Sequence, residues 1–135
     1  MDWTGPVAMT SVVRQADGTM DEAYLERAHA RLVHGFIDTC TRDFDQTWLD
    51  YQHEVGLRHH RAKKNQADGA HGVVPHIPYR WIVAFLYPFT QAIRPLLEKA
   101  EASPEEREPM LQAWTKAFTL QVTLYSRAYV PQDDW

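Results

Sequence analysis

The chain has 135 residues, 44% hydrophobic and 24% charged, with a formal net charge of −4. Its length fits one domain under the usual ~100–200 residues per domain, and its apolar content excludes an intrinsically disordered chain. The acidic balance excludes a general nucleic-acid binder, and no stretch of ~18 apolar residues offers a membrane span.

Residues 1–18 read as an irregular arm, punctuated by the breaker pairs Gly5-Pro6 and Asp17-Gly18. The opening Met1-Asp2-Trp3 lacks the basic and apolar runs of a secretory leader. The first helix is predicted to start at Thr19, where Thr19-Met20-Asp21-Glu22 fits a capping box. Leu25, Ala28, Leu32 and Phe36 follow on one helical face, and Thr39-Cys40-Thr41 mark its end. Cys40 is the single cysteine, so no intramolecular disulfide can form, and a reducing, cytoplasmic setting is expected.

A second helix is predicted from about Asp43 or Asp45 to Lys64. Trp48, Gln52, Val55 and His59 share one face of it; Leu49, His53, Gly56 and His60 share the next. Arg61, Lys63 and Lys64 would sit in its last turns, where cations suit the helix dipole. A loop over 65–78 follows, and Pro78 suits the opening of a third helix over about 78–99. That helix carries the broadest apolar stripe, with bends expected at Pro88 and Pro95. Ser103-Pro104-Glu105-Glu106 is a second capping box, opening a fourth helix to about Tyr125. Leu111, Trp114, Phe118, Val122 and Tyr125 recur along it at helical spacing, and Pro109 is expected to kink or delay it. The acidic tail after Pro131 is expected to be exposed apart from Trp135. With no segment of sustained period-two alternation, the fold class is all-α, with four main helices.

Chemistry narrows to the histidines. There is no Gly-rich phosphate loop and no Gly-x-Ser-x-Gly elbow. The pairs Glu105/Glu106 and Asp133/Asp134 read as a helix N-terminus and a tail. His53 and His60 share a face compatible with a metal clamp, but no third ligand joins them at metal spacing. His59 and His60 point about 100° apart on a helix, and periodicity does not choose between them. A lone imidazole beside an apolar face suits either a satisfied core histidine or the axial ligand of a haem iron.

Longer motifs carry a family resemblance. Trp48-Leu49-Asp50-Tyr51-Gln52-His53-Glu54-Val55-Gly56-Leu57-Arg58-His59-His60-Arg61 resembles the proximal helix of protoglobins, relatives of the globin-coupled sensors. Pro75-His76-Ile77-Pro78-Tyr79-Arg80-Trp81 and the residues to Pro88 resemble the start of the family's G helix. Gln112-Ala113-Trp114-Thr115-Lys116-Ala117-Phe118, continued by 120–125, resembles its H helix. The resemblance implies a shortened globin-like fold whose four helices correspond to E, F, G and H. It implies haem b (iron protoporphyrin IX) as cofactor, with His59 as the proximal iron ligand and His60 as a non-ligand. Leu32 falls where the family has a distal phenylalanine, Phe85 matches a haem-packing phenylalanine, and Arg31 matches a base near the propionates. Trp48, Val55 and Phe36, on the adjoining apolar faces, are expected to complete the haem contacts. The helices over 78–99 and 104–125 match the family's homodimer interface. Family members are longer, and the resemblance implies that the pre-A, A, B and C helices, with their distal Trp-Tyr pair, are missing here.

The favoured expectation is therefore a globin-like protein that binds O2, CO or NO at iron, for gas binding or sensing, rather than an enzyme. Two alternatives stand beside it. One is a haem-free dimerisation module. The other is a haem-dependent peroxidase or oxygen-transfer activity, in which the cofactor carries the chemistry. The sixth ligand is left open; His29 or His34 on the first helix is the candidate, with His34, two positions past Leu32, expected to point elsewhere.

Overall fold

The computed structural model describes residues 19, 22–64, 66 and 75–135. The expected arm over 1–18 and most of the loop over 65–74 lie outside the described residues. Among those described, the fold is all-α: five α-helices, two short 3-10 turns and no strand. None of these helices is long and apolar enough to cross a membrane.

Helix α1 spans Glu22–Thr41. The expected capping box at Thr19 includes Met20 and Asp21, which are outside the described residues. At the other end the Thr39 and Thr41 hydroxyls donate back to the Gly35 and Ile37 carbonyls, at 2.7 and 2.8 Å. Such back-bonding competes with the helical ladder and accompanies its termination.

Helix α2 spans Gln46–His59. Its N-cap is Asp45, whose carboxylate accepts from the Trp48 amide at 2.9 Å and satisfies an otherwise orphaned donor. The helix stops before the predicted Lys64. His60 adopts extended backbone angles (φ −83°, ψ 153°), so residues 61–64 form turns instead. Arg61, Lys63 and Lys64 thus lie beyond the helix, and the cation in its last turn is Arg58. The chain re-enters at Ile77, whose amide donates to the His59 carbonyl at 3.0 Å.

The predicted third helix is two helices, α3 over Tyr79–Gln91 and α4 over Arg94–Lys99. Pro88 is accommodated within α3, whereas Pro95 occupies the first turn of α4. Proline at a first turn forfeits no helical bond, which is why the break falls there. Helix α5 spans Pro104–Tyr125 with both halves of the Ser103/Glu106 capping box formed. It runs through Pro109 without delay. Trp135 is exposed, contrary to expectation.

Helix α5 is the hub: α1, α2, α3 and α4 each pack against it. The apolar core joins Ile93, Leu97, Leu111 and Trp114, with Phe36 and Phe89 packed against them. Phe36 meets Trp114 at 4.7 Å between ring centroids, and Phe89 meets Phe118 at 4.3 Å. Aromatic contacts in this range add to the burial of large apolar rings.

Candidate functional site

His59 ends α2, and the packing of that helix fixes where its ring lies. The decisive position is one turn earlier. A Cβ on Gly56 would lie 2.9 Å from the Tyr125 carbonyl oxygen, 3.1 Å from the Tyr125 Cα and 3.3 Å from the Ala128 Cβ. Only a residue without a Cβ allows α2 to approach the end of α5 this closely. His59 then stacks on Tyr125, with ring planes 16° apart and centroids at 6.0 Å.

The imidazole is half-buried, and its Nδ1 lies 2.8 Å from the Val55 carbonyl oxygen. A carbonyl only accepts, so Nδ1 carries the proton and Nε2 keeps its lone pair. Burial lowers the proton affinity of the ring. The Val55 carbonyl works in the opposite direction, and the cations Lys64 and Arg31 lower it further. The net result lies below the ordinary histidine value, so the ring is held neutral near pH 7. A neutral imidazole with its second nitrogen fixed by a backbone carbonyl is a competent metal donor.

The two cations share one aromatic ring. The Arg31 guanidinium lies 5.9 Å from the centre of the buried Tyr24 ring, and the Lys64 ammonium lies 5.6 Å from it. Each is within cation–π range. Tyr24 thereby joins the first turns of α1 to the turn that follows α2, on the side where positive charge acts on His59.

His60 goes elsewhere. Its ring meets His76 at 5.1 Å and Tyr129 at 5.2 Å, both edge-on. Its Nδ1 accepts from the Ala62 amide at 3.2 Å, and Tyr129 donates to the Ile77 carbonyl at 2.9 Å. The extended backbone at His60 separates the two histidines that helical periodicity left equivalent.

The remaining expected residues fall into two places. Leu32 and Phe36 line a pocket of about 320 Å³ together with Val33, Phe89, Leu96 and Trp114. His29 also lines it, but His59 does not. Phe85 lies on α3, 5.5 Å from Phe89 between ring centroids. Trp48 is 1% exposed and stacks on Phe44 at 4.2 Å. It is eleven residues before His59, ~16 Å along the helix axis. The structure thus gathers His59, Val55 and the charge of Arg31, sets Leu32 and Phe36 in the pocket, and sets Trp48 apart in the packing under α2.

Sequence reasoning placed Gly56, Tyr125 and Lys64 on their helices but gave them no role at the site. A glycine inside a helical pattern is itself a signal of close approach, so Gly56 was legible in principle. Tyr125 and Lys64 were not, because their partners come from other helices.

Among the described residues, no three His, Cys, Asp or Glu side chains cluster as a metal cage. A single imidazole donor suits an iron whose other positions are filled by a macrocycle, and in that respect the donor chemistry fits haem. In comparisons with known proteins, the family model described as Protoglobin matches residues 8–135. No curated protein matches the chain.

Proposed function

The chain belongs to the protoglobin family, and from that premise we propose that it binds haem b through Nε2 of His59 and takes up a diatomic gas, O2, CO or NO, for gas binding or sensing. One observation carries the reading: the bond from His59 Nδ1 to the Val55 carbonyl at 2.8 Å. It fixes the tautomer, orients the ring and raises the donor strength of the free nitrogen. When bound, an iron porphyrin supplies an open coordination position for the gas.

The other residues serve binding and orientation. Gly56 and Tyr125 hold the end of α2 in place through the close contact and ring stacking described above. Arg31 offers positive charge to the carboxylates of the cofactor, and Lys64 supplies a second cation from the turn after α2. Phe85 offers an apolar ring on α3. Burial keeps His59 unprotonated, so no proton competes for the donor nitrogen at neutral pH.

The test is an absorption spectrum of the purified chain after addition of haem, oxidised and reduced, with and without CO. The wild-type chain should give a Soret band. His59→Ala should lose or shift it, and His60→Ala should retain it, because His60 points into the His76 and Tyr129 cluster. An unchanged spectrum in the His59 variant overturns the assignment.

The reading extends to a homodimer through α3, α4 and α5. Its support is the exposed apolar surface on these helices: Tyr87 (74% exposed), Val83, Met110 and Leu120. Val83 and Tyr87 are four residues apart on α3 and so share one helical face, the kind of exposed apolar surface a second copy would cover.

A further inference from the structure

A helix leaves its last carbonyls without partners inside the helix, so their partners must come from elsewhere in the chain. At the end of α2 the returning chain supplies them. The Ile77 amide donates to the His59 carbonyl at 3.0 Å, and beside it the Arg61 amide donates to His76 Nδ1 at 3.2 Å. Pro78 disfavours helical backbone at Ile77, and α3 starts only at Tyr79, so the Ile77 amide and carbonyl both stay available to groups outside the segment. The carbonyl accepts from the Tyr129 hydroxyl at 2.9 Å. Ile77 is therefore held at both of its backbone groups, by His59 at one and by Tyr129 at the other.

Tyr129 follows the 3-10 turn Ser126–Ala128 that extends α5, and its own amide donates to the Ser126 carbonyl at 2.7 Å. Its ring lies 5.2 Å from Tyr79, 5.2 Å from His60 and 5.7 Å from His76 between centroids, in a half-buried cluster. Burial, and then the neighbouring Tyr79, push its phenol above the ordinary value, so the hydroxyl remains a donor across the neutral range. We propose that Tyr129 is a positioning residue for His59, acting through the backbone of Ile77, a role that rests on the assignment of His59 as the iron donor.

The two ties on His59 differ. The bond from Nδ1 to the Val55 carbonyl lies within α2 and turns the ring relative to that helix. The bond from Ile77 comes from outside α2 and sets the end of the helix relative to the rest of the molecule. Partners one step removed from a metal donor set its direction and the strength of its bond to the metal. Tyr79 supplies the contrast. It is a neighbouring phenol of the same cluster, but its hydroxyl donates to the Val122 carbonyl of α5 at 2.7 Å, a bond that does not pass through Ile77.

The experiment compares Tyr129→Phe with Tyr79→Phe, each of which removes one hydroxyl and keeps the ring. In the haem-free chain, amide hydrogen exchange at Ile77 is followed by NMR. Tyr129→Phe should raise it roughly 2- to 10-fold, the effect of losing one supporting hydrogen bond, and Tyr79→Phe should leave it as in the unaltered chain. In the haem-loaded ferrous chain, the iron–histidine stretching band is read by resonance Raman. Tyr129→Phe should shift or broaden that band, and Tyr79→Phe should leave it in place. An α-hydroxy acid at position 77, which deletes only the Ile77 amide, should move the band in the same way, and Tyr129→Phe should add no further shift to it. Unchanged exchange at Ile77 in Tyr129→Phe overturns the proposal. So does raised exchange with an unmoved band, which makes Tyr129 purely structural, and so does an equal shift in Tyr79→Phe. Absence of the band in the unaltered chain overturns the assignment of His59 itself, and the role of Tyr129 falls with it. A band that is present and that Tyr129→Phe leaves unmoved overturns the role of Tyr129 alone.

Discussion

At the scale of single residues, Gly56 has the most to reveal. Alanine in a helix interior is favoured over glycine by about 1 kcal/mol, so on propensity alone Gly56→Ala should stabilise α2. The new Cβ, however, would meet backbone atoms of Tyr125 at 2.9 and 3.1 Å. Backbone atoms cannot rotate aside, and overpacking of this kind costs roughly 1–3 kcal/mol. The clash outweighs the propensity, so the urea midpoint of Gly56→Ala should fall. The His59 ring should move with the helix end. A raised midpoint would mean that α2 slides freely on α5.

At the scale of helices, a short polar chain ties α1 to α5 beside the same site. Thr39 donates to the Gly35 carbonyl at 2.7 Å, and Gln121 donates to the Thr39 hydroxyl at 2.6 Å. The Tyr125 hydroxyl donates to Gln121 at 3.4 Å, a longer contact. Gln121 is buried, so its loss strands partners away from water. We expect Gln121→Leu to cost about 1–3 kcal/mol in chemical denaturation, the desolvation penalty of stranded groups. In a double-mutant cycle with Thr39→Val, the combined loss should be smaller than the sum by roughly 0.5–3 kcal/mol. Strict additivity would show that the two side chains act independently. Helix boundaries divide along the same line. The Ser103 start of α5 is written in four consecutive residues, and the structure forms that capping box as expected. The end of α2 is not, because the bond from Ile77 to the His59 carbonyl comes from beyond the loop.

At the scale of the whole molecule, the all-α architecture was readable because apolar residues at 3- and 4-residue spacing leave few alternatives to packed helices. The exposed Tyr87 and Val83 on α3 lead to a prediction at this scale. The double variant Tyr87→Glu/Val83→Glu should shift the chain from dimer to monomer in light scattering after size exclusion. If the unaltered chain is already monomeric, or if the variant remains dimeric, the interface through α3 to α5 is wrong.

The sequence alone determined the fold class, the order of the helices, most of their starts and the family, since these rest on local spacing and on long motifs. The resemblance already pointed to His59 as the candidate ligand over the adjacent His60. Periodicity left the two equivalent, and only the tertiary structure set their different surroundings. His60 turns extended and joins His76 and Tyr129, while His59 keeps its bond to Val55 and its place against Tyr125. The physical reason is that helical periodicity specifies the direction of a side chain only while the helix lasts. Where a helix stops, and what it meets there, is set by contacts from distant residues: here the missing Cβ of Gly56, the end of α5 and the returning chain at Ile77.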